Sequence, residues 1–310
     1  MATDMNQRTI GRVVLLSNPA AGGGHAERAA ARAAARLRAG GVQVLNISGA
    51  DPQDALRLAR ETVARGVEQG GVDALVAVGG DGMVHLAVQA LAGSGIPLGL
   101  IPAGTGNDLA REYGLPLGDP EAAADVVAEG KVRTVDLGRV EDADGAVRYF
   151  ATVLAVGFDS LVSDRVNRLS WPRGRMRYNL AILVELANLR PLPFRLVLDG
   201  ETVLVRDLTL AAVGNTRSYG GGMSICPGAD PGDGRFDLTL VGAMKRSKLV
   251  RFFPTVFKGT HVRHQEVDVR RASTVRIESP GITAYADGEF VAPLPVDVEV
   301  ARRALGVLVP

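Results

Sequence analysis

Two glycine-rich segments of this chain enclose aspartates: Gly79-Gly80-Asp81-Gly82, and Pro102-Ala103-Gly104-Thr105-Gly106-Asn107-Asp108. A third segment, Asn18-Pro19-Ala20-Ala21-Gly22-Gly23-Gly24, is glycine-rich without an acid. Glycine has no Cβ, so its backbone N–H groups can approach an anion closely, and a helix starting just beyond the turn adds the positive end of its dipole. That chemistry is phosphate binding. An aspartate in such a turn repels bare phosphate. It makes sense when a divalent cation lies between carboxylate and phosphate, directly or through water, as Mg²⁺ commonly does. Asp81 and Asp108 are therefore candidates for a cation network. Asp136, in Thr134-Val135-Asp136-Leu137-Gly138, is a third, and reads equally well as a strand-end turn residue. One glycine turn says little, since most strand–helix turns contain a glycine for geometric reasons; three at one sheet edge say much more.

These turns need a scaffold, and the hydrophobic pattern supplies one. Apolar runs at residues 12–16, 42–47, 74–78 and 97–101 read as strands, and residues 25–39, 54–69, 83–91, 107–113 and 121–129 read as helices. The three glycine segments follow the strands at 12–16, 74–78 and 97–101. Alternating strands and helices predict a mainly parallel sheet, whose ligands bind outside the carboxyl ends of its strands. Neither a Gly-x-x-x-x-Gly-Lys-Ser/Thr loop nor a Gly-x-Gly-x-x-Gly helix opening occurs. Beyond residue 132 the pattern becomes strand-rich, at 134–140, 149–155, 194–198, 202–213, 236–241, 267–269, 274–277 and 296–300, with helices expected at 159–169, 177–189 and 247–258. The expected fold is thus α/β with two domains. Residues 1–140 form a Rossmann-like α/β nucleotide-binding domain, and residues 141–310 a β-rich domain whose last strand is free to return to the first.

The 310 residues carry 35 Lys+Arg against 34 Asp+Glu, a net charge of +1, which argues against a general nucleic-acid binder. The single cysteine, Cys226, excludes an internal disulfide and a multi-cysteine zinc site. Residues 1–12 are polar, without a signal-peptide core, and no run approaches the ~20 apolar residues needed to span a bilayer. The expectation is a cytoplasmic protein that meets any lipid from the aqueous side.

Taken in order and spacing, NPAAGGG, VAVGGDG, IPAGTGNDLA, TVDLG, VGFD and ADGE resemble the diacylglycerol kinase catalytic family, relatives of sphingosine kinases and NAD kinases. The resemblance covers nearly the whole chain and is nearest to the soluble bacterial lipid kinases. It implies an α/β domain that binds ATP, an antiparallel β-sandwich on the lipid side, and catalysis in a cleft between them. It assigns Asn18, Pro19, Ala20, Ala21, Gly22, Gly79, Gly80, Asp81, Gly82, Met83, Gly104, Thr105, Gly106 and Asn107 to the nucleotide. Asp81, Asp108 and Asp136 match an Asp–water–Mg²⁺ network. Asp233 (through its carboxylate), with Asp230 and Arg235 (through their carbonyls), matches a second, structural Mg²⁺ site, although a plain Asp-Gly turn is the alternative there. Asp287-Gly288-Glu289 falls at the family's catalytic acids: Glu289 as general base toward the lipid hydroxyl, Asp287 positioning it or a metal. Without that context Asp-Gly-Glu is an ordinary hairpin turn.

The sequence departs from the family pattern at Met83, where Thr is usual, and at His85 and Leu86, where Asn and Glu are common. A basic, aromatic-rich stretch at 245–264 contains Lys245, Arg246, Lys248, Arg251, Lys258 and Arg263 around Phe252, Phe253 and Phe257, with no acid; a second at 165–177 surrounds Trp171. Both suit peripheral docking on an anionic membrane surface, the inner face of the cell membrane, at about 1 kcal/mol per cation. The other reading is a solvated basic face with the phenylalanines in the core or in a homodimer contact. The leading functional reading is an ATP- and Mg²⁺-dependent kinase making phosphatidic acid from diacylglycerol. The alternatives are a kinase for a sphingoid base, ceramide or phosphatidylglycerol, an NAD kinase-like enzyme, and a catalytically weakened nucleotide or lipid binder.

Overall fold

The computed structural model describes residues 5–18, 24–69, 71–158, 161–162, 165 and 191–310, with the side chains of 203–205 and 246 excepted. The chain divides into two compact units, Met1–Leu137 with Ala301–Pro310, and Gly138–Val300.

The first unit holds β1 (Met5–Gln7), β2 (Arg12–Ser17), α1 (His25–Ala39), β3 (Gln43–Ile47), α2 (Pro52–Gln69), β4 (Ala74–Gly79), α3 (Asp81–Leu91), β5 (Leu98–Pro102), α4 (Asp108–Glu112) and α5 (Pro120–Glu129). Its parallel sheet runs β3-β2-β4-β5, and the C-terminal part of the last strand of the chain adds beside β5 through Val307 and Leu98. Every residue of β4 is buried, as expected of a strand with helices on both faces. Small side chains let the layers close. Ala26, Ala29, Ala33 and Ala34 bury the inner face of α1, and a Cβ on Gly99 would meet Val76 at 2.9 Å and Val127 of α5 at 3.0 Å. Helix α5 starts at Asp119, whose carboxylate accepts the Ala122 N–H at 3.1 Å, and ends at Gly130 in the left-handed region (φ 69°).

β6 (Lys131–Asp142) leads from the first unit into the second. There follow β7 (Val147–Phe150), β8 (Val153–Gly157), β9 (Leu192–Leu198), β10 (Glu201–Gly214), β11 (Phe236–Gly242), α6 (Arg246–Phe257), β12 (Val267–Ala272), β13 (Thr274–Glu278), β14 (Thr283–Ala286), β15 (Glu289–Pro293) and β16 (Val296–Leu308). Pairing in this unit is antiparallel, in the order β15-β14-β8-β10-β9-β13-β16, with β11 joining β10 to β12. This is the antiparallel β-sandwich expected. One apolar core gathers Phe150, Phe194, Phe236 and Ile277; another gathers Tyr219, Met223 and Cys226 with Leu249, Phe252 and Val256 of α6.

Three expectations need correction. The strand expected at 149–155 is two strands, because the backbone breaks at Ala151 and Thr152, whose N–H groups serve a side chain instead of a ladder. The strand expected at 296–300 continues to Leu308, where Val307 and Leu308 are buried in the first unit. The hairpin β14–β15 was missing from the expected elements. The helices expected at 159–169 and 177–189 lie outside the described residues, apart from fragments at 161–162 and 165.

Candidate functional site

Strands β4 and β5 lie side by side in parallel, so the glycine turns that follow them meet at one edge. Gly79 pairs with Pro102, and Ala103 N–H donates to the Gly79 carbonyl at 2.9 Å. The approach is so close that a Cβ on Gly104 would stand 2.3 Å from Gly80 Cα. Only glycine fits there.

Asp81 opens α3 and ties the two turns together. Its Oδ2 accepts the Asn107 N–H at 2.9 Å and its Oδ1 the Asp108 N–H at 2.8 Å. Gly106 makes room: a Cβ there would come within 2.3 Å of Asp81 Oδ2. Asn107 stands in the left-handed region (φ 55°), a conformation Asn tolerates, and its side chain closes the turn. Asn107 Oδ1 accepts from Gly104 N at 3.0 Å, and Nδ2 donates to the Gly104 carbonyl at 2.8 Å. Gly104 and Thr105 remain exposed at the rim, while Asn107 and Asp108 are buried. No side chain caps the first turn of α3 at Gly80, which suits an anion from outside the chain. Met83 is partly exposed in that turn, and His85 is buried in the helix.

The chemistry of these donors fits a nucleotide phosphate chain. It fits Mg²⁺ less directly, because both Asp81 oxygens already accept backbone N–H groups; a cation held through water is the arrangement compatible with that engagement. Among the described residues no three His, Cys, Asp or Glu side chains are grouped to hold a metal directly. Asp136 is buried on β6, and its Oδ1 accepts the Arg303 N–H at 2.6 Å, so it holds β16 in place. Asn18 ends the β2 region; Pro19, Ala20, Ala21 and Gly22 lie outside the described residues, as does Asp159 of the VGFD motif.

In the second unit, Asp287 and Gly288 form the two-residue turn between β14 and β15. Their φ values of 53° and 82° match the Asp-Gly turns that suit hairpins. The Asp287 carboxylate is engaged by three donors: Ala151 N at 3.0 Å, Thr152 N at 2.8 Å and Thr152 Oγ1 at 2.6 Å. Asn215, 2 % exposed, secures the same segment, donating from Nδ2 to the Ala151 carbonyl at 2.8 Å and from its backbone to the Thr152 carbonyl at 2.8 Å. Sequence reading missed Thr152 and Asn215, because their bonds join segments 135 and 64 residues apart. Glu289, the next residue after the turn, is exposed at the start of β15. The turn therefore fixes one carboxylate rigidly and presents the other to solvent.

The 230–235 turn is organised by its own acids. Asp230 Oδ1 accepts from Gly232 N at 3.1 Å, Asp233 Oδ1 accepts from Arg235 N at 2.9 Å, and Arg271 pairs with Asp233 Oδ2 and with Asp237 at 3.2 Å. Burial pushes the Asp237 carboxyl above its ordinary range, opposed by Arg271. A guanidinium thus supplies positive charge at Asp233, and a cation at that oxygen would have to displace it.

Helix α6 buries Phe252 (3 % exposed) against the rings of His261 and His264, which answers for that phenylalanine in favour of the core. Val250 and Phe257, 57 % and 49 % exposed, share the outer surface with exposed Arg251 and Lys258, whereas Lys248 pairs with Glu266. The Arg246 side chain and most of the stretch at 165–177, Trp171 included, lie outside what is described. Among the described residues no helix is long and apolar enough to cross a membrane.

Comparison with known proteins agrees with the motif pattern. Residues 12–140 match the diacylglycerol kinase catalytic domain, and residues 152–309 match the YegS C-terminal NAD kinase beta sandwich-like domain. The chain is 54 % identical over 309 residues to a Mycobacterium tuberculosis diacylglycerol kinase, covering 100 % of this chain and 98 % of that one. It is 30 % identical over 261 residues to the Bacillus subtilis diacylglycerol kinase, covering 83 % and 82 %. In fold, it resembles the crystal structure of a candidate diacylglycerol kinase from Bacillus anthracis, with a TM-score of 0.79 at 23 % identity and coverage of 98 % and 97 %.

Proposed function

Because the chain belongs to the diacylglycerol kinase family and is a lipid kinase, we propose that it transfers the γ-phosphoryl group of ATP to the free hydroxyl of diacylglycerol, giving phosphatidic acid. The observation that carries this reading is the 54 % identity across the whole chain with a protein of that name.

Asn18 to Gly22, Gly79 to Met83, and Gly104 to Asn107 would hold the nucleotide, with α3 directing its uncapped first turn at the phosphates. Asp81 acts first on the chain itself, locking the two turns to each other, so that donor positions are set before substrate arrives. Asp81, Asp108 and Asp136 would hold Mg²⁺ through water, which would supply charge neutralisation for the transferring phosphoryl group. Glu289 would take the proton from the acceptor hydroxyl as its oxygen bonds to phosphorus and the bond to ADP breaks. Its exposure supports access to a substrate presented from outside, and Asp287 positions it through the fixed turn. Diacylglycerol stays in a bilayer, so we assign α6, with Val250, Phe257, Arg251 and Lys258, to docking on an anionic membrane surface.

The test is labelled ATP with Mg²⁺ or with EDTA, offered to mixed micelles of diacylglycerol, sphingosine, ceramide or phosphatidylglycerol, and to free NAD. The expected result is Mg²⁺-dependent labelling of diacylglycerol above the other acceptors. Preferential labelling of another lipid would reassign the substrate, and labelling of NAD alone would overturn the lipid reading.

A further inference from the structure

The first unit contains a polar cavity that the kinase reading does not use. It has a volume of 240 Å³, and Asn6, Arg8, Thr134 and Arg303 contribute to its lining together with Gly93 and Gly95. It lies away from the glycine edge. Pro97, which borders it, immediately precedes β5, whereas the Gly104 turn follows that strand; five residues of strand put roughly 16 Å between the two ends.

The composition of the lining is one-sided. Among the described residues two arginines border the cavity and no carboxylate does. Among the described residues no hydrogen bond or ion pair engages the Arg8 guanidinium, which is exposed. Arg303 is fixed in the left-handed region (φ 53°) by its N–H bond to Asp136 at 2.6 Å, so its place on the wall is set by the backbone. Gly93 and Gly95 turn there with φ values of 73° and 75°; the Gly93 N–H is taken by the Ala304 carbonyl at 2.8 Å, and a Cβ on either glycine would meet nothing within 4 Å. Guanidinium groups, an amide and a hydroxyl form a donor set for a tetrahedral oxyanion.

We propose that this cavity binds a phosphate monoester dianion, at a site separate from the nucleotide. The group could arrive on a small soluble phosphate or as the headgroup of a phosphatidic acid, since both present the same dianion. Arg303 and Thr134 sit on the two segments, β16 and β6, that connect the units in sequence, so an occupied site would stiffen both connecting strands.

Calorimetric titration of the whole protein, with ADP and Mg²⁺ saturating, tests this with three probes: inorganic phosphate, glycerol 3-phosphate and dihexanoyl phosphatidic acid. Binding by the first two assigns the site to free phosphates, and binding by the third alone assigns it to a lipid headgroup. In either case Arg8→Ala should weaken binding about tenfold or more, as loss of a charge-assisted bond would. The isosteric Asn6→Asp should weaken it similarly by adding a negative charge, and decides the matter if Arg8→Ala fails to fold. Absence of binding by all three probes, or binding unchanged by these substitutions, overturns the site.

Discussion

The Asp81 carboxylate accepts the backbone N–H groups of Asn107 and Asp108, 26 and 27 residues later in sequence, at 2.9 and 2.8 Å, and so bridges two glycine turns. An asparagine at this position offers one oxygen and turns an NH₂ toward the second N–H. Asp81→Asn should therefore cost about 1–3 kcal/mol of stability. Gly106→Ala attacks the same bridge from the other side, since its Cβ would lie 2.3 Å from Asp81 Oδ2. Neither change removes a backbone phosphate donor, yet a displacement of about 1 Å in the turn should lower kcat/KM roughly 10²-fold. Thermal melts alongside steady-state kinetics check both; full activity in Gly106→Ala would show that the bridge does not position the turn.

Asp287 and Glu289 lie two residues apart and should fail differently. Asp287 holds Ala151 and Thr152 through three hydrogen bonds, so Asp287→Asn should lower stability by about 1–3 kcal/mol along with turnover. Glu289 is exposed, so its replacement by Gln should cost less stability than Asp287→Asn, while kcat falls about 10²–10⁴-fold if it is the general base. A Glu289→Gln enzyme with normal kcat would remove that residue from proton transfer.

The same acids mark how far the sequence can be read. Glycine turns, apolar runs and the Asp-Gly hairpin signal are local, and they placed β2, β4, β5 and α1 within a residue or so of their observed ends. The break between β7 and β8 was illegible because its cause, Asp287, lies 135 residues beyond Thr152. Asn215 was passed over for a similar reason: it acts through a backbone carbonyl 64 residues earlier, and no motif spacing reports that. Periodicity placed α6 correctly but could not say which phenylalanine faced inward. That was decided by the rings of His261 and His264, which follow the helix.

His261 should give the second unit a pH-dependent stability. Its ring is fully buried, with Nε2 2.9 Å from the Ile225 carbonyl, and burial pulls its pKa below the ordinary imidazole value, reinforced by His264. The unfolded chain takes up a proton below about pH 6.5 while the folded ring resists it. Protons therefore favour the unfolded state, and this contribution falls as pH drops through that value. Melting temperatures should hold between pH 7 and 8 and decline toward pH 5. His261→Gln, which can still donate to the Ile225 carbonyl, should flatten the decline; an unchanged slope would place the dependence elsewhere.

The membrane docking proposed for α6 rests on a mixed apolar and cationic surface, and its two components can be separated. Phe257, about half exposed, would bury its free face in the interface, and Arg251 and Lys258 would each add about 1 kcal/mol near anionic headgroups. Arg251→Glu should then swing binding by about 2 kcal/mol, a roughly thirtyfold loss on anionic vesicles that shrinks in high salt. Phe257→Ser should weaken binding to anionic and neutral vesicles alike, because it removes apolar burial and no charge. Phe252→Ser, by contrast, should lower the melting temperature, since that ring is core. Sedimentation with vesicles of each composition, at low and high salt, separates these effects. Equal binding by wild type, Arg251→Glu and Phe257→Ser would exclude α6 from the docking surface.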